Sequence, residues 1–186
     1  VPVDHPRNLA FVPASPTRAA IMFDLITSAS SIHGAYWMEG AGGIFCENEA
    51  MRWMVSLTGM PEGAFGVFTS GGTAANLSAL VTAREHWREN PKFEREKGLI
   101  ITSSGAHSSV KAMAKVADVD IILVDSEERL TEDALKETIA NLTPHQRTCL
   151  FAVVATGGTT NAGIIDDLES VSKVCDSRLI IELGYV

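Results

Sequence analysis

Three short polar stretches hold most of the side chains in this sequence that could take part in chemistry. They are residues 69–73 (TSGGT), 102–109 (TSSGAHSS) and 156–161 (TGGTTN), and each one follows a run of apolar residues. Hydroxyl groups and backbone N–H groups beside glycine bind anions, and the imidazole within the second stretch can transfer protons. The sequence therefore predicts a cleft that is lined with hydroxyl groups, backbone donors and one histidine ring.

The first stretch has the pattern of a strand, a tight turn and a helix. Apolar residues 64–68 predict a short buried strand, and an amphipathic run starts at Ala74. Between them, Gly71 and Gly72 allow positive φ and let a ligand approach the backbone closely. The first helical turn has N–H groups without partners and the positive end of the helix dipole, which together suit a phosphate. Thr73 adds a hydroxyl group, although a glycine-rich connection without a ligand explains this stretch equally well.

After residue 98, short apolar runs alternate with longer amphipathic runs. The predicted strands are 99–101, 120–124, 149–155 and 179–183, and the predicted helices are 107–117, 131–142 (capped by Thr131) and 166–176 (capped by Asp166 or Asp167). Such alternation predicts right-handed βαβ crossovers and a mostly parallel sheet with helices on both faces. Ligands in these sheets bind at the carboxyl ends of the strands, which is where the three polar stretches fall.

The first 60 residues have a different pattern. They predict an extended proline-rich arm over 1–16, a helix capped by Thr17 that ends near Ser31, an irregular glycine-rich loop over 32–43, and a helix over 44–58. Tyr36 and Trp37 lie in the predicted loop, where large aromatic side chains either form a binding or interface surface or pack into the core.

Composition excludes several classes of partner. The net charge is −8, from 15 basic and 23 acidic residues without a basic block, so nucleic acid is not expected. No apolar run approaches the length of a spanning helix and no signal-peptide pattern opens the sequence, so no membrane is expected either. Three scattered cysteines, Cys46, Cys149 and Cys175, predict reduced thiols in a cytoplasmic protein.

The sequence is not expected to form several other common kinds of site. The five histidines are interpreted as having neither a partner at i+4 nor a nearby cysteine, so no metal site is expected. The sequence has no G-x-S-x-G nucleophile elbow, which disfavours a serine hydrolase. It also lacks the G-x-x-x-x-G-K-S/T and G-x-G-x-x-G signatures of nucleotide-binding sites.

Taken together, the three stretches resemble the group II pyridoxal-phosphate-dependent amino-acid decarboxylases, which include the aromatic amino-acid and glutamate decarboxylases. The residues that carry the resemblance, in the family's order and separation, are 69–76, 106–111 and 155–160, with 4–7, 47–53 and 59–61 similar as well. The similarity covers residues 1–178. It implies the N-terminal part of the fold-type I PLP-dependent transferase large domain, preceded by an extended and helical arm. It also implies pyridoxal 5'-phosphate (PLP) as cofactor, an L-amino acid as substrate, and a homodimer.

The resemblance also assigns residues to the cofactor phosphate. Gly72 and Thr73 match the positions at which the family's backbone and hydroxyl group hold the phosphate, and Ser70 and Gly71 flank that turn. This is the same turn that the predicted helix terminus marks as an anion site.

Three further positions follow from the resemblance. His107 matches the histidine that stacks on the pyridine ring near the substrate carboxylate, which makes it the candidate catalytic residue and a cofactor contact. Thr160 matches a threonine beside the ring. Asp166 matches an aspartate at a helix start, where a structural capping role is expected.

Two parts of the family's chemistry are not found in these 186 residues. The aspartate that keeps the ring nitrogen protonated is expected near 183–186, where Glu182 is the nearby carboxylate and is interpreted as an ordinary strand residue. The Schiff-base lysine follows a histidine in the family, but no His-Lys pair occurs here, and the six lysines are interpreted as surface residues. The expected organisation is an arm with helices over 1–60 and a partial large domain over 61–186, truncated before the lysine and the small domain. The chain alone is expected to be inactive.

Two alternatives stay open. One is another fold-type I enzyme, such as a sphingosine-phosphate-type lyase or a desulfurase, although the AHSS loop over 106–109 favours a decarboxylase. The other is a non-catalytic fragment that associates with a longer homologue through its arm and aromatic loop. The particular amino acid that serves as substrate is not assigned.

Overall fold

The computed structural model describes residues 4–8, 14–125, 129–177 and 180–185. The chain divides into two compact units, Val1–Phe68 and Thr69–Val186, and each is described by itself. Residues 1–3 and 9–13 of the predicted arm lie outside the described residues, as does residue 179 of the last predicted strand. Within the described ranges, every helix is too short or too polar to cross a membrane.

The described part of the first unit contains two helices. Helix α1 spans Arg18–Ser30, and Thr17 caps it by accepting a hydrogen bond from Ala20 N–H at 3.1 Å. Helix α2 spans Trp37–Thr58 and ends at Gly59, which has a left-handed φ of 66°. Both predicted helices are confirmed, together with the Thr17 cap.

The predicted irregular loop over 32–43 is wrong in its second half, because α2 already begins at Trp37. The backbone N–H of Gly40 donates to Tyr36 O at 2.8 Å, as the first turn of a helix requires. Gly40 is buried, and a Cβ atom at this position would lie only 2.7 Å from His33 O. This glycine therefore permits a close approach of two backbone segments rather than an irregular loop.

The predicted buried strand over 64–68 is also wrong. These residues have no strand conformation, and the side chains of Phe65, Val67 and Phe68 are exposed. A strand forms only where a second strand accepts and donates its backbone hydrogen bonds, and the described part of this unit contains no other strand. The Phe68 N–H instead donates to a carboxylate oxygen of Glu47 at 3.1 Å.

The second unit is built around a parallel sheet. Its strands are β1 Leu99–Ser103, β2 Asp120–Val124, β3 Leu150–Thr156 and β4 Ile181–Tyr185, in the order β2-β1-β3-β4. Its helices are α3 Gly72–Arg88, α4 Ser108–Val116, α5 Glu132–Asn141, α6 Pro144–Cys149 and α7 Leu168–Asp176. All three strand pairs are parallel, so the predicted α/β fold is confirmed.

Alternate residues of the central strands face opposite sides of the sheet. Ile101 and Val153 belong to the apolar cluster that includes residues of α5 and α7, whereas Ile100 and Ala152 belong to the cluster that includes residues of α3 and α4. Because both faces are covered, these strands are buried along their whole length, and all their residues except those at the carboxyl ends are apolar. Burying a side chain such as Ile100 contributes roughly 1.5–3 kcal/mol, so the two clusters hold the strand ends, and the loops that follow them, in place.

Helix α6 was missed by sequence reasoning, which left residues 143–148 as a connection. Thr143 Oγ1 accepts from Gln146 N–H at 3.2 Å, and the Gln146 side chain accepts from Thr143 N–H at 3.0 Å. This reciprocal pair is a capping box, and Pro144 occupies the first helical position. The T-P-x-Q pattern was therefore a usable signal for a short helix.

Candidate functional site

The loops that follow β1 and β3 meet at the carboxyl edge of the sheet and form the walls of an open cavity of about 530 Å³. Its lining includes residues 103–108 from the first loop and residues 159–162 from the second. A Cβ atom on Gly105 would lie 3.4 Å from the Thr159 side chain, which shows how closely the loops approach. The structure thus brings His107 and Thr160, which are 53 residues apart in the sequence, to the same cavity.

The ring of His107 is held by hydrogen bonds at the start of α4. His107 is the N-cap residue, and its Nδ1 accepts from the backbone N–H of Ser109 at 3.2 Å. The hydroxyl oxygen of Ser109 lies 2.9 Å from the same nitrogen. Because Nδ1 acts as an acceptor, the neutral imidazole carries its proton on Nε2.

Asn76 completes this arrangement from the neighbouring helix. Its side-chain N–H group donates to the hydroxyl oxygen of Ser109 at 3.2 Å, which directs the Ser109 hydroxyl proton toward His107. Ser109 is buried, so these bonds are shielded from competing water. Sequence reasoning placed Asn76 and Ser109 in the motifs but gave neither a role. Since 33 residues separate them, no local pattern reveals their contact.

The predicted phosphate turn lies at the start of α3. Gly71 is the N-cap residue with a φ of 153°, and no side chain caps the helix. The N–H groups of Ala74 and Ala75 both donate to Gly71 O, whereas those of Gly72 and Thr73 precede the first intrahelical bonds. Nothing lies within 4 Å of a Cβ atom built on Gly71 or Gly72. The turn therefore offers backbone donors and open space to an anion.

The turn and the cavity are separate parts of one edge of the sheet. Ser70, Gly71, Gly72 and Thr73 are all exposed, and none of them is among the described residues that line the cavity. The connection between them is the hydrogen bond from Asn76, one turn into α3, to Ser109. The structure thus joins the phosphate turn to His107 through two side chains.

The loop after β3 is shaped by its own hydrogen bonds. Thr159 exchanges backbone bonds with Ile164 and Gly163, at 2.9 and 2.8 Å, and its hydroxyl accepts from Ile164 N–H at 3.1 Å. Gly158 has a φ of 155°, a conformation that side-chain-bearing residues rarely adopt. These constraints place Thr160 at the exposed end of the loop, where it lines the cavity.

Asp166 is a structural residue, as expected, but it does not cap α7. Its carboxylate is 3% exposed and accepts two backbone hydrogen bonds of 2.7 Å, from Leu130 N–H and Thr156 N–H. It therefore ties the end of β3 to the segment that leads into α5. The cap of α7 is Asp167, which accepts from Ser170 N–H at 3.4 Å.

The interpretation that no histidine has a partner at i+4 or a nearby cysteine is wrong. His145 and Cys149 lie four residues apart on α6, and His145 Nε2 is 3.7 Å from Cys149 Sγ. The prediction failed because the segment was not recognised as helical, so the shared face of the two residues was overlooked. These residues lie at the opposite edge of the sheet from His107, since α6 leads into the start of β3.

The lysines are surface residues, as interpreted from the sequence. All six are exposed. Lys97 pairs with Asp120 at 2.7 Å, and Lys173 pairs with Glu169 at 2.6 Å one helical turn away. Among the described residues that line the His107 cavity, none is a lysine.

Comparison with known proteins identifies relatives of the chain. It is 33% identical over 182 residues to an aromatic-L-amino-acid decarboxylase of Bacillus atrophaeus, covering 95% of this chain and 37% of the relative. It is 29% identical to an L-2,4-diaminobutyrate decarboxylase of Acinetobacter baumannii, covering 92% of this chain and 38% of the relative. The chain thus spans less than two fifths of the length of these curated relatives.

The fold agrees with solved structures. TDC of Oryza sativa, solved with PLP and tryptamine, matches with a TM-score of 0.77 at 21% identity, over 90% of this chain and 38% of that chain. This likeness shows the fold, which is the N-terminal part of fold-type I. Residues 2–183 match the conserved domain of the pyridoxal-dependent decarboxylases. The chain therefore belongs to the group II pyridoxal-dependent decarboxylase family, whose cofactor is PLP, and corresponds to the N-terminal part of its members.

Proposed function

We propose that the whole enzyme removes the carboxyl group of an L-amino acid, and that this chain supplies the part that holds the cofactor phosphate and one face of the cofactor ring. The observation that carries this proposal is the arrangement of His107. Its ring lines a cavity together with Thr160, and its Nδ1 is connected through Ser109 and Asn76 to the start of α3.

The residues present fit PLP. The start of α3 has no side-chain cap, and the space in front of Gly71 and Gly72 would be reduced by a Cβ atom on either. An uncapped helix start with exposed N–H groups favours the phosphate dianion. The imidazole of His107 offers a flat face to an aromatic ring, and Thr160 offers a hydroxyl group.

Bound PLP supplies an electron sink for the bond that breaks. The backbone N–H groups of Gly72 and Thr73 would bind the phosphate, with Ser70 and Gly71 in the turn beside it. His107 would lie against one face of the ring, and its Nε2 would donate the proton that the substrate carbon takes up in place of the carboxyl group.

The amino acid can be identified by a direct assay. Carbon dioxide release by the full-length enzyme with PLP would be measured with aromatic L-amino acids, L-2,4-diaminobutyrate and L-glutamate. Curated relatives are named for aromatic substrates and for 2,4-diaminobutyrate, and a similar solved structure is that of a glutamate decarboxylase domain. Release of carbon dioxide from one class supports decarboxylation. An aldehyde-forming cleavage of a longer amine, or release of sulfide from cysteine, would instead support the lyase or desulfurase alternative.

We propose that residues 1–186 alone are inactive and form the arm (1–60) and a partial large domain (61–186). The absence of a lysine among the described lining residues of the His107 cavity supports this, because the family forms its cofactor linkage through lysine. The purified chain, mixed with PLP and the preferred substrate, is expected to release no carbon dioxide. Release at a rate similar to that of the full-length enzyme would contradict the proposal.

A homodimer is supported by the first unit. Helix α1 exposes Phe23 and Leu25 at 68% and 66%, and α2 exposes Trp53 and Leu57 at 64% and 66%. Tyr36 and Trp37 are likewise exposed in this unit rather than packed in its core. Apolar surfaces of this kind mark sites of association. Sedimentation of the full-length enzyme is expected to give a dimer, and a F23S/L25S variant a monomer.

The alternative of an associating fragment rests on the same apolar surface. An absorbance measurement distinguishes the associating fragment from the enzyme. PLP bound to a lysine absorbs visible light, and borohydride abolishes this absorbance. If the full-length protein carries this band, the enzyme assignment stands. If it lacks the band but co-purifies with a longer homologue, association is the better account. A reducing compartment such as the cytoplasm suits the three cysteines, none of which forms a disulfide in the described structure.

A further inference from the structure

A second cavity lies at the other edge of the sheet, where the strands begin. It has a volume of about 500 Å³, and its lining includes Glu96, His145 and Cys149. Glu96 precedes β1, and the other two residues lie on α6, which leads into β3. Because β1 is five residues long, this edge is roughly 17 Å from the one where His107 lies. The cavity is therefore separate from the proposed cofactor site.

Three side-chain atoms that can ligate a metal converge in this cavity. His145 Nε2 lies 3.7 Å from Cys149 Sγ and 3.9 Å from a carboxylate oxygen of Glu96. All three donor atoms lie within 4.8 Å of one another. We propose that Glu96, His145 and Cys149 bind one zinc ion.

The separations suit a tetrahedral ion. Zinc bonds of about 2.3 Å to sulfur and about 2.0 Å to nitrogen and oxygen place a sulfur and a nitrogen ligand about 3.5 Å apart, and a nitrogen and an oxygen ligand about 3.3 Å apart. The distances from His145 Nε2 exceed these values only slightly, whereas Cys149 Sγ and the Glu96 carboxylate are up to 4.8 Å apart, so the Glu96 side chain must rotate toward the thiol to close the site. The open cavity leaves room for a water molecule as the fourth ligand.

The backbone already holds the ligands in place. The capping box of Thr143 and Gln146 fixes the start of α6, which sets His145 and Cys149 one turn apart on the same face. The backbone of Glu96 is held across the cavity from α6. Its N–H donates to Phe93 O at 3.0 Å, and its carbonyl accepts from an Arg88 guanidinium N–H at 3.2 Å. Little chain entropy is then lost when the ion binds.

The charges that line the cavity are mixed, because Lys97, Lys111 and Lys115 line it together with Glu96 and Asp120. The nearby ammonium group of Lys97 is directed to Asp120 and Asp118, at 2.7 and 3.6 Å, and not to Glu96. The nearest basic partner of the Glu96 carboxylate in the described structure is His145, at 3.9 Å. A divalent ion would lie between these two groups and neutralise the carboxylate. Thiolate, imidazole and carboxylate form a mixed donor set of the kind that zinc accepts.

The Cys149 side chain is 3% exposed, and its sulfur lies beside the imidazole of His145. A catalytic nucleophile has to be accessible, and this thiol is not. A zinc ion that binds here displaces the thiol proton to solvent as the Zn–S bond forms. The bound ion would fasten the segment before β1 to α6.

Cobalt and zinc titrations of the full-length enzyme test this site. The protein is first treated with a chelator, and Co²⁺ is added to the wild type and to the C149S and H145Q variants. Matched controls are C46S and H86Q, which change an exposed cysteine and an exposed histidine elsewhere. Bound Zn²⁺ is counted by elemental analysis after dialysis, and the melting temperature is recorded with and without Zn²⁺.

We expect one zinc ion per chain and a thiolate-to-cobalt charge-transfer band in the wild type and in both controls. The band should be lost in C149S, and zinc should no longer raise the melting temperature of H145Q. Because His145 is largely exposed, H145Q should fold even if C149S does not. Binding without a thiolate band, equal binding by H145Q and wild type, or no retained zinc would each overturn the proposal.

Discussion

At the residue scale, the central relationship is the support of His107 by Ser109. The S109A variant removes the contact of 2.9 Å to His107 Nδ1 and the bond from Asn76, but it keeps the backbone N–H bond. We expect kcat/KM of the whole enzyme to fall about fivefold, since one such bond contributes about 1 kcal/mol. KM should change less than kcat, because the ring is misplaced rather than removed.

The control for this experiment is S78A, which changes an exposed serine on α3. It should leave both kinetic constants and the melting temperature unchanged. If S109A lowers the melting temperature but keeps the wild-type kcat, Ser109 supports only the fold. Its assignment as a positioning residue for His107 would then be wrong.

The phosphate turn allows stability to be separated from cofactor binding. Gly72 lies in the first turn of α3, and a Cβ atom there meets nothing within 4 Å. The G72A variant is therefore expected to fold with unchanged or slightly higher stability, because alanine favours helix over glycine by up to about 1 kcal/mol. It should nevertheless bind PLP about tenfold more weakly, because the methyl group enters the space proposed for the phosphate.

The measurement is fluorescence titration with PLP, combined with thermal unfolding without the cofactor. The matched variant is S78G, which changes an exposed residue further along α3. It should lower helix stability without weakening PLP binding. Unchanged PLP affinity in G72A would show that the phosphate lies elsewhere.

At the element scale, Asp166 connects β3 to the segment before α5. The D166N variant replaces one acceptor oxygen with an N–H₂ group opposite a backbone N–H, so one of two short bonds is lost at a buried position. We expect the free energy of unfolding to fall by about 2–3 kcal/mol. Urea denaturation of the full-length enzyme measures this change.

The neighbouring Asp167 provides the comparison. It caps α7, and asparagine caps a helix about as well as aspartate does, so D167N should change the free energy of unfolding by less than about 0.5 kcal/mol. An equal effect of the two substitutions would show that Asp166 has no special structural role.

The strands of the second unit and its helices other than α6 could be predicted because their signals are local. Apolar runs bounded by polar loops mark β1 to β3, and the Thr131 cap of α5 is visible in the sequence. The strand predicted over 64–68 failed because strand formation depends on a partner that sequence pattern does not reveal. The loop predicted over 32–43 was wrong at Gly40, because the sequence does not distinguish a glycine that allows close packing from one that ends a helix.

The site was predictable in part. His107 and Thr160 follow strand ends, and parallel topology brings such ends together, so their shared cavity is a consequence of the fold. The Asn76–Ser109 contact is different, because it depends on how α3 packs against α4. The His145–Cys149 pair required recognition of a six-residue helix.

At the scale of the whole molecule, the two edges of the sheet have different proposed roles. The carboxyl edge holds His107, Thr160 and the phosphate turn, and the amino edge holds the proposed zinc ligands. The first unit exposes apolar side chains of α1 and α2. The chain spans 37% of the Bacillus relative, so the remaining chemistry is proposed to lie in the part of the enzyme that follows.

The most direct test of the central claim is carbon dioxide release from carboxyl-labelled L-amino acids by the full-length enzyme and its H107Q variant. The wild type should release carbon dioxide from at least one substrate class. H107Q should be slower by about 100-fold or more, as expected when a proton donor is removed, while it retains the visible band of bound PLP. Equal rates in the two proteins, or no carbon dioxide from any amino acid with PLP bound, would contradict the proposed role of this site.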